Sequence, residues 1–231
     1  MNIKQLIGGS LVLGLIVSTV SVAGARNGPK PEVFPRDSVA YGRTYGEWSA
    51  AWWQWSLAIP VANHPLFDKG GCSVGQSGPV WFLGGKVCST GDTTCDSSSA
   101  TRTCTVPAGK ALFFPIVNTI FITTPGDPGI DEIRELVREV TDAVTDLDCE
   151  IDGKPVQNIE QYREVSPVFS VNLPANNIFG IEAGEYAPDV DEGFYLLLPP
   201  LKVGEHTIHF HGNSPFFEFT LDVTYHLTVE P

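Results

Sequence analysis

Residues 217–229, F-E-F-T-L-D-V-T-Y-H-L-T-V, alternate between apolar and polar without a break. Phe217, Phe219, Leu221, Val223, Tyr225, Leu227 and Val229 share one face; Glu218, Thr220, Asp222, Thr224, His226 and Thr228 share the other. A period of two residues is that of a pleated strand, so this reads as a long antiparallel strand with one wet face. Working outward, Val203 to His211 is a second strand, joined to the first through G-N-S-P. Phe194 to Leu198 is a third, broken off by Pro199-Pro200. Val80 to Leu83, a continuous apolar run between glycines, reads as a strand buried on both faces.

Further β-structure lies between these. In Cys104 to Ile122 a P-A-G-K turn separates two β-rich runs, which marks a strand pair, and Pro115 suggests an edge or a bulge. In L-D-C-E-I-D-G-K-P-V, Leu147, Cys149 and Ile151 alternate with acids ahead of Asp152-Gly153, a two-residue hairpin turn. Val168 to Leu173 is another strand, and the acid-rich 182–192 segment reads as a solvated loop. Seven or more strands with closely spaced turns give a mainly β fold: an antiparallel β-sandwich, jelly-roll-like, with two helices.

The first helix is T-Y-G-E-W-S-A-A-W-W-Q-W-S-L-A-I, residues 44–59. Thr44 and Glu47 form a capping box, placing the start near Tyr45, and Pro60 stops it. Trp48, Trp52, Trp55 and Ile59 fall on one stripe, the pattern of a helix laid on a core. Trp53 lies off that stripe beside Ser49 and Ser56 and is left over as a ligand contact or as packing for a second layer. The second helix, near 128–146, takes Asp127 as its N-cap and Pro128 as its first residue. Ile130, Ile133, Val137, Val140 and Val144 form its apolar stripe, the pattern of an amphipathic helix inserted at the surface.

Residues 1–25 carry the marks of an export signal: Lys4, an apolar run from Leu11 to Val20, and Ala23-Gly24-Ala25 as a small-x-small cleavage site. A single domain, 26–231, is expected after it. The apolar run is too short for a membrane span. The formal net charge is −13 at pH 7, one unit more negative without Lys4. That sign disfavours nucleic acid and anionic membrane surfaces as partners. An exported chain meets oxidising conditions, so its five cysteines are read first as disulfides. Cys88–Cys95 closing a short loop, with Cys72–Cys104 outside it, is the favoured pairing, though spacing alone leaves connectivity open. Cys149 remains as a buried thiol. Zinc ligation competes, but there is no C-x-x-C pair.

Taken together, Y-G-E-W-S-A-A-W-W-Q-W, G-Q-S-G-P-V-W-F-L, C-T-V-P-A-G-K-A-L-F-F-P-I, C-E-I-D-G-K-P-V and G-E-H-T-I-H-F resemble an uncharacterised family of exported bacterial proteins. The resemblance covers most of the chain after residue 25. It implies a secreted or periplasmic protein and carries over no activity.

Two chemistries remain open. The first is a non-catalytic binding or structural domain, with Trp53 and Trp81 at a groove beside His64 and Asp68. Aromatic faces with a few polar groups suit a neutral ligand such as a glycan. The second is a metal-dependent enzyme. His209 and His211, two apart in H-T-I-H-F-H, share a strand face and could hold a divalent metal, as the H-F-H of alpha-type carbonic anhydrases resembles. With a hairpin closing at G-N-S-P, Glu218 falls beside His211 while His226 falls opposite Val203, too far along to join. His209, His211 and Glu218 would suit zinc for hydrolysis or hydration, or iron or copper for oxidative chemistry. No G-x-S-x-G elbow or P-loop is present.

Overall fold

The tryptophan helix forms as its capping box dictates. In a computed structural model that describes residues 30–87 and 99–231, α1 spans Tyr45–Leu57. Thr44 Oγ1 accepts from Glu47 N while the Glu47 carboxylate accepts from Thr44 N. Trp48, Trp52, Trp55 and Ile59 are all buried. The indole N–H groups of Trp48 and Trp52 donate to Ala40 O and Leu83 O at 2.9 and 2.7 Å, so the large rings enter the core with their polar atoms satisfied.

Ten strands follow among the described residues: β1 (Val80–Phe82), β2 (Ser99–Pro107), β3 (Ala111–Phe121), β4 (Thr145–Ile151), β5 (Lys154–Pro155), β6 (Arg163–Val165), β7 (Phe169–Leu173), β8 (Gly184–Leu198), β9 (Gly204–Ser214) and β10 (Phe219–Glu230). The second helix, α2, spans Ile130–Asp142. One sheet runs β1-β3-β8-β6, with β7 also on β8; the other runs β2-β10-β9-β4-β5. Both are mixed. The pairs β1/β3 and β2/β10 are parallel and the rest antiparallel, a departure from an all-antiparallel jelly roll.

The sheets stack face to face, with Phe114 of β3 on Phe210 of β9 at a ring separation of 5.2 Å. On its other face the first sheet carries α1: Phe113 meets Tyr45, Trp48 and Tyr195 there. The arrangement is therefore three layers, helix on sheet on sheet. It explains why β3 and the C-terminal half of β8 read as unbroken apolar runs.

Four expectations change. The runs flanking P-A-G-K do not pair; β2 belongs to the second sheet and β3 to the first. Their burial differs accordingly, since β2 alternates with one wet face and β3 is buried on both. The acid-rich 182–192 segment is not a solvated loop but largely the first part of β8, with Asp189, Asp191 and Glu192 buried. The N-cap of α2 is Gly129; Asp127 instead accepts from the backbone N and hydroxyl of Thr124 at 2.7 and 2.8 Å. The C-terminal strand starts at Phe219, because Pro215–Phe217 form a turn of 3-10 helix with Glu218 left-handed at its end.

Cys72 and Cys104 form a disulfide with Cα atoms 5.8 Å apart, and Cys149 is a buried free thiol. The Cys88–Cys95 pairing and the export signal lie outside the described residues. No helix among the described residues is long and apolar enough to cross a membrane.

Candidate functional site

Strand β1 covers only the start of β3, pairing Val80–Phe82 with Ala111–Phe113. The chain then leaves through Leu83–Val87. Along the rest of β3, from the irregularity at Pro115–Val117 to Ile120, a pocket of about 260 Å³ opens. Trp52, Trp53 and Ser56 of α1 line it, together with Ser214 at the end of β9, Phe217 of the turn and Leu221 of β10. Ile178 and Phe179 close the end. Phe179 and Phe217 are about half exposed, so the mouth carries aromatic surface. Lys86 is the one charged residue of the lining.

The shape depends on two close approaches. A Cβ on Gly85 would lie 2.8 Å from Leu221 Cδ2, and one on Gly193 would lie 2.6 Å from Cα and Cβ of Asn118. Glycine at those positions lets the 84–87 segment and Asn118 sit where they do.

Polar atoms in the wall are few. The hydroxyls of Ser56 and Ser214 are buried without a hydrogen-bond partner. Asn118 donates from Nδ2 to the Tyr195 hydroxyl at 3.1 Å, and Tyr195 donates to Asp191 Oδ2 at 2.5 Å. Ser49 Oγ donates to Asp191 Oδ1 at 2.8 Å, and the Asp191 backbone N–H donates to Ser166 Oγ at 2.8 Å. Asp191 is fully buried, and desolvation pushes its carboxyl up to about 7 against the lowering effect of these donors. Desolvation and the Asp191 charge push Tyr195 well above the usual phenol range. The Trp53 N–H lies beside the same pair and helps to hold Asp191 down, without closing a hydrogen bond to either. The network ties α1, the β6–β7 connection and β8 together behind the pocket.

The four residues expected at one groove are dispersed. Trp53 is buried as a second layer on Trp52, ring centroids 5.0 Å apart, and one side of it lines the pocket. Trp81 is buried in β1 and lines no pocket described here. His64 is wholly buried and caps the 3-10 turn Pro65–Phe67: Nδ1 accepts from Leu66 N, so Nε2–H donates to Ser56 O at 2.9 Å. Burial lowers it to about 4, which keeps it neutral. Asp68 lies across Leu66 in a separate cleft, paired with Arg102 at 2.7 Å and Lys86 at 3.5 Å. That cleft's arginine also donates to Gly84 O, Gly85 O and the Tyr225 hydroxyl, which fastens the 84–85 segment to the second sheet.

The metal trio is not assembled. Because β9 runs on to Ser214 and the turn takes up Pro215–Glu218, His211 pairs with Asp222 and His209 with Thr224. Glu218 is left in the turn, four residues from its expected partner position. Asp222 takes its place, with Oδ1 3.0 Å from His209 Nε2 and Oδ2 3.8 Å from His211 Nδ1. His226 lies opposite Thr207, not Val203. Among the described residues no group of three or more histidine, cysteine, aspartate or glutamate side chains is placed to hold a metal ion.

Sequence reasoning missed Asn118, Tyr195, Asp191 and Ser214. The one signal for them was the irregularity expected at Pro115, which opens the pocket beside it.

No protein-family model matches this chain, and no curated protein matches it. A solved structure described as PbICP-C in complex with falcipain-2 matches 66% of this chain and 100% of its own, at 12% identity and a TM-score of 0.26. A likeness that distant carries no argument about function.

Proposed function

We propose that this chain is an exported, non-catalytic binding domain that holds a small, neutral, mainly apolar molecule in the pocket along β3. The observation that carries the reading is the pocket itself: about 260 Å³, lined by α1, β3 and the β9–β10 hairpin, apolar apart from a few wall groups, and rimmed by half-exposed phenylalanines. Ligand sites are concave and mostly apolar with a small number of placed polar groups, and this pocket has that character. A glycan presents hydroxyls around most of its surface and would leave them unpaired against such walls, so the neutral ligand expected here is aromatic or aliphatic. The Cys72–Cys104 disulfide and the family resemblance support export, as does the apolar stretch that opens the sequence.

The test is calorimetric titration of the mature protein with neutral aromatic probes, beside a panel of neutral oligosaccharides. Saturable binding of the aromatics is expected, lost in a pocket-filling Val117→Phe variant whose thermal melting is retained. Binding of oligosaccharides alone would move the ligand class to glycans. No binding from either panel would sink the reading.

A further inference from the structure

We propose that Asn118 sets the chemical preference of this pocket: its side-chain carbonyl is the acceptor offered to the ligand, which selects neutral apolar molecules ending in an O–H or N–H donor. The inference rests on the binding reading above. It follows from counting hydrogens outward from Asp191. An ionised carboxylate only accepts. Tyr195 therefore gives its single hydroxyl hydrogen to Asp191 Oδ2, and the Tyr195 oxygen can then only accept from Asn118, 3.1 Å away. That requirement fixes which way the Asn118 amide is turned. Nδ2 must face Tyr195, and Oδ1 is left as the uncommitted acceptor of a residue in the pocket wall.

Protonation of Asp191 leaves the order intact. The added proton has a place on Oδ1 facing Ser49, whose hydroxyl has Gly46 O at 2.9 Å as its other acceptor, so Tyr195 stays a donor. Gly193 secures the geometry from below, since any side chain there would meet the Asn118 backbone. The other wall groups do not compete. The Lys86 ammonium is paired with Asp68 of the neighbouring cleft at 3.5 Å. Ser56 and Ser214 hydroxyls donate or accept equally well, and the Trp53 N–H lies on the Asp191–Tyr195 side. An ether or ketone at the polar end would set acceptor against acceptor at Asn118.

Three probes of similar size separate the outcomes: p-cresol as donor, 4-methylanisole as acceptor only, and p-xylene with neither. Calorimetry on the wild type should find p-cresol bound about tenfold more tightly than 4-methylanisole, the worth of one hydrogen bond. Asn118→Leu should keep p-xylene binding and bring the other two within about twofold of each other. Tyr195→Phe, by releasing the amide to turn over, should do the same without removing Asn118. If Tyr195→Phe does not fold, the half-buried Asn118→Leu decides alone. Equal binding of p-cresol and 4-methylanisole to the wild type, or a preference that survives Asn118→Leu, overturns this proposal and leaves the pocket reading standing. If none of the three binds, the pocket reading falls first and takes this one with it.

Discussion

Replacing Asp191 with asparagine isolates the energetic consequence of burying a carboxylate behind the pocket. Its carboxyl is raised from the ordinary 3.8 to about 7, with desolvation the dominant cause. Since the unfolded chain titrates near the ordinary value, the folded state holds a proton that the unfolded state releases between those two pH values. Stability is therefore greatest below pH 4, falls as the pH rises through 7, and is level above it. At 1.36 kcal/mol per tenfold, the fall is about 4 kcal/mol. His64 acts in the opposite sense: lowered from 6.5 to about 4, it makes stability rise with pH over that span, so the wild-type profile alone conceals both. The difference between wild type and Asp191→Asn removes the histidine, and also Asp189, which burial raises in both proteins. Urea unfolding followed by tryptophan fluorescence from pH 4 to pH 8.5 gives that difference. It should move against the wild type by about 4 kcal/mol between pH 4 and 7 and then stop. Parallel profiles, or a difference of opposite slope, would refute the reading that desolvation outweighs the donors around the Asp191 carboxylate.

Three further outcomes are expected. Gly193→Ala, which drives a Cβ to 2.6 Å from Asn118 Cα, should destabilise the fold by about 1–3 kcal/mol in urea titrations and abolish any preference among p-cresol and 4-methylanisole. Thr44→Ala, which removes one half of the capping box, should cost about 1 kcal/mol in the same assay, with Thr44→Ser restoring most of it. Cys149 is fully buried and its thiol is pushed up by desolvation, so thiol labelling should find it inert in the native protein and reactive in urea. Mass mapping of the labelled, unreduced chain should show Cys149 as its only modified site; labelled Cys88 or Cys95 would break the expected second bridge.

Elements whose logic is local were legible in the sequence. The capping box at Thr44 and Glu47, the Asp152-Gly153 hairpin, the alternation from Leu221 to Val229 and the burial of Cys149 each need only neighbours to be understood. Failures share a different cause. Asp191 looks solvated in a run of acids because two of its partners, Ser49 and Ser166, stand 142 and 25 residues away, although Tyr195 is only four residues on. Glu192 finds Arg163 in the same manner. The hairpin register slipped by four residues because Phe217 and Glu218 keep the alternation going into a turn that is not a strand, which moved Glu218 away from the histidines. Trp53 was singled out correctly as lying off the stripe, but nothing local distinguishes a second layer from a ligand contact. Pro115 signalled an irregularity but not the pocket beside it, which lies along β3 beyond the reach of β1.

The order of the second sheet bears on how the molecule is made. Strand β10 is not an edge but an interior strand, lying between β2 and β9. Its β9 neighbour is reached through the short turn at 215–218, but β2 lies more than a hundred residues earlier, and until β10 fills the gap beside it β2 presents an open edge with its ladder groups unpaired. Closing that gap joins segments more than a hundred residues apart, as the parallel pairing of Thr101 with Thr224 illustrates. Such distant pairings slow folding and lengthen the time for which edges are exposed. A chain cut short before Phe219 would leave β2 without a partner strand in this sheet and β9 with an open edge. The second sheet therefore owes one of its edges to its most distant pairing: β2 comes first in the sequence among these strands and joins the sheet only through β10.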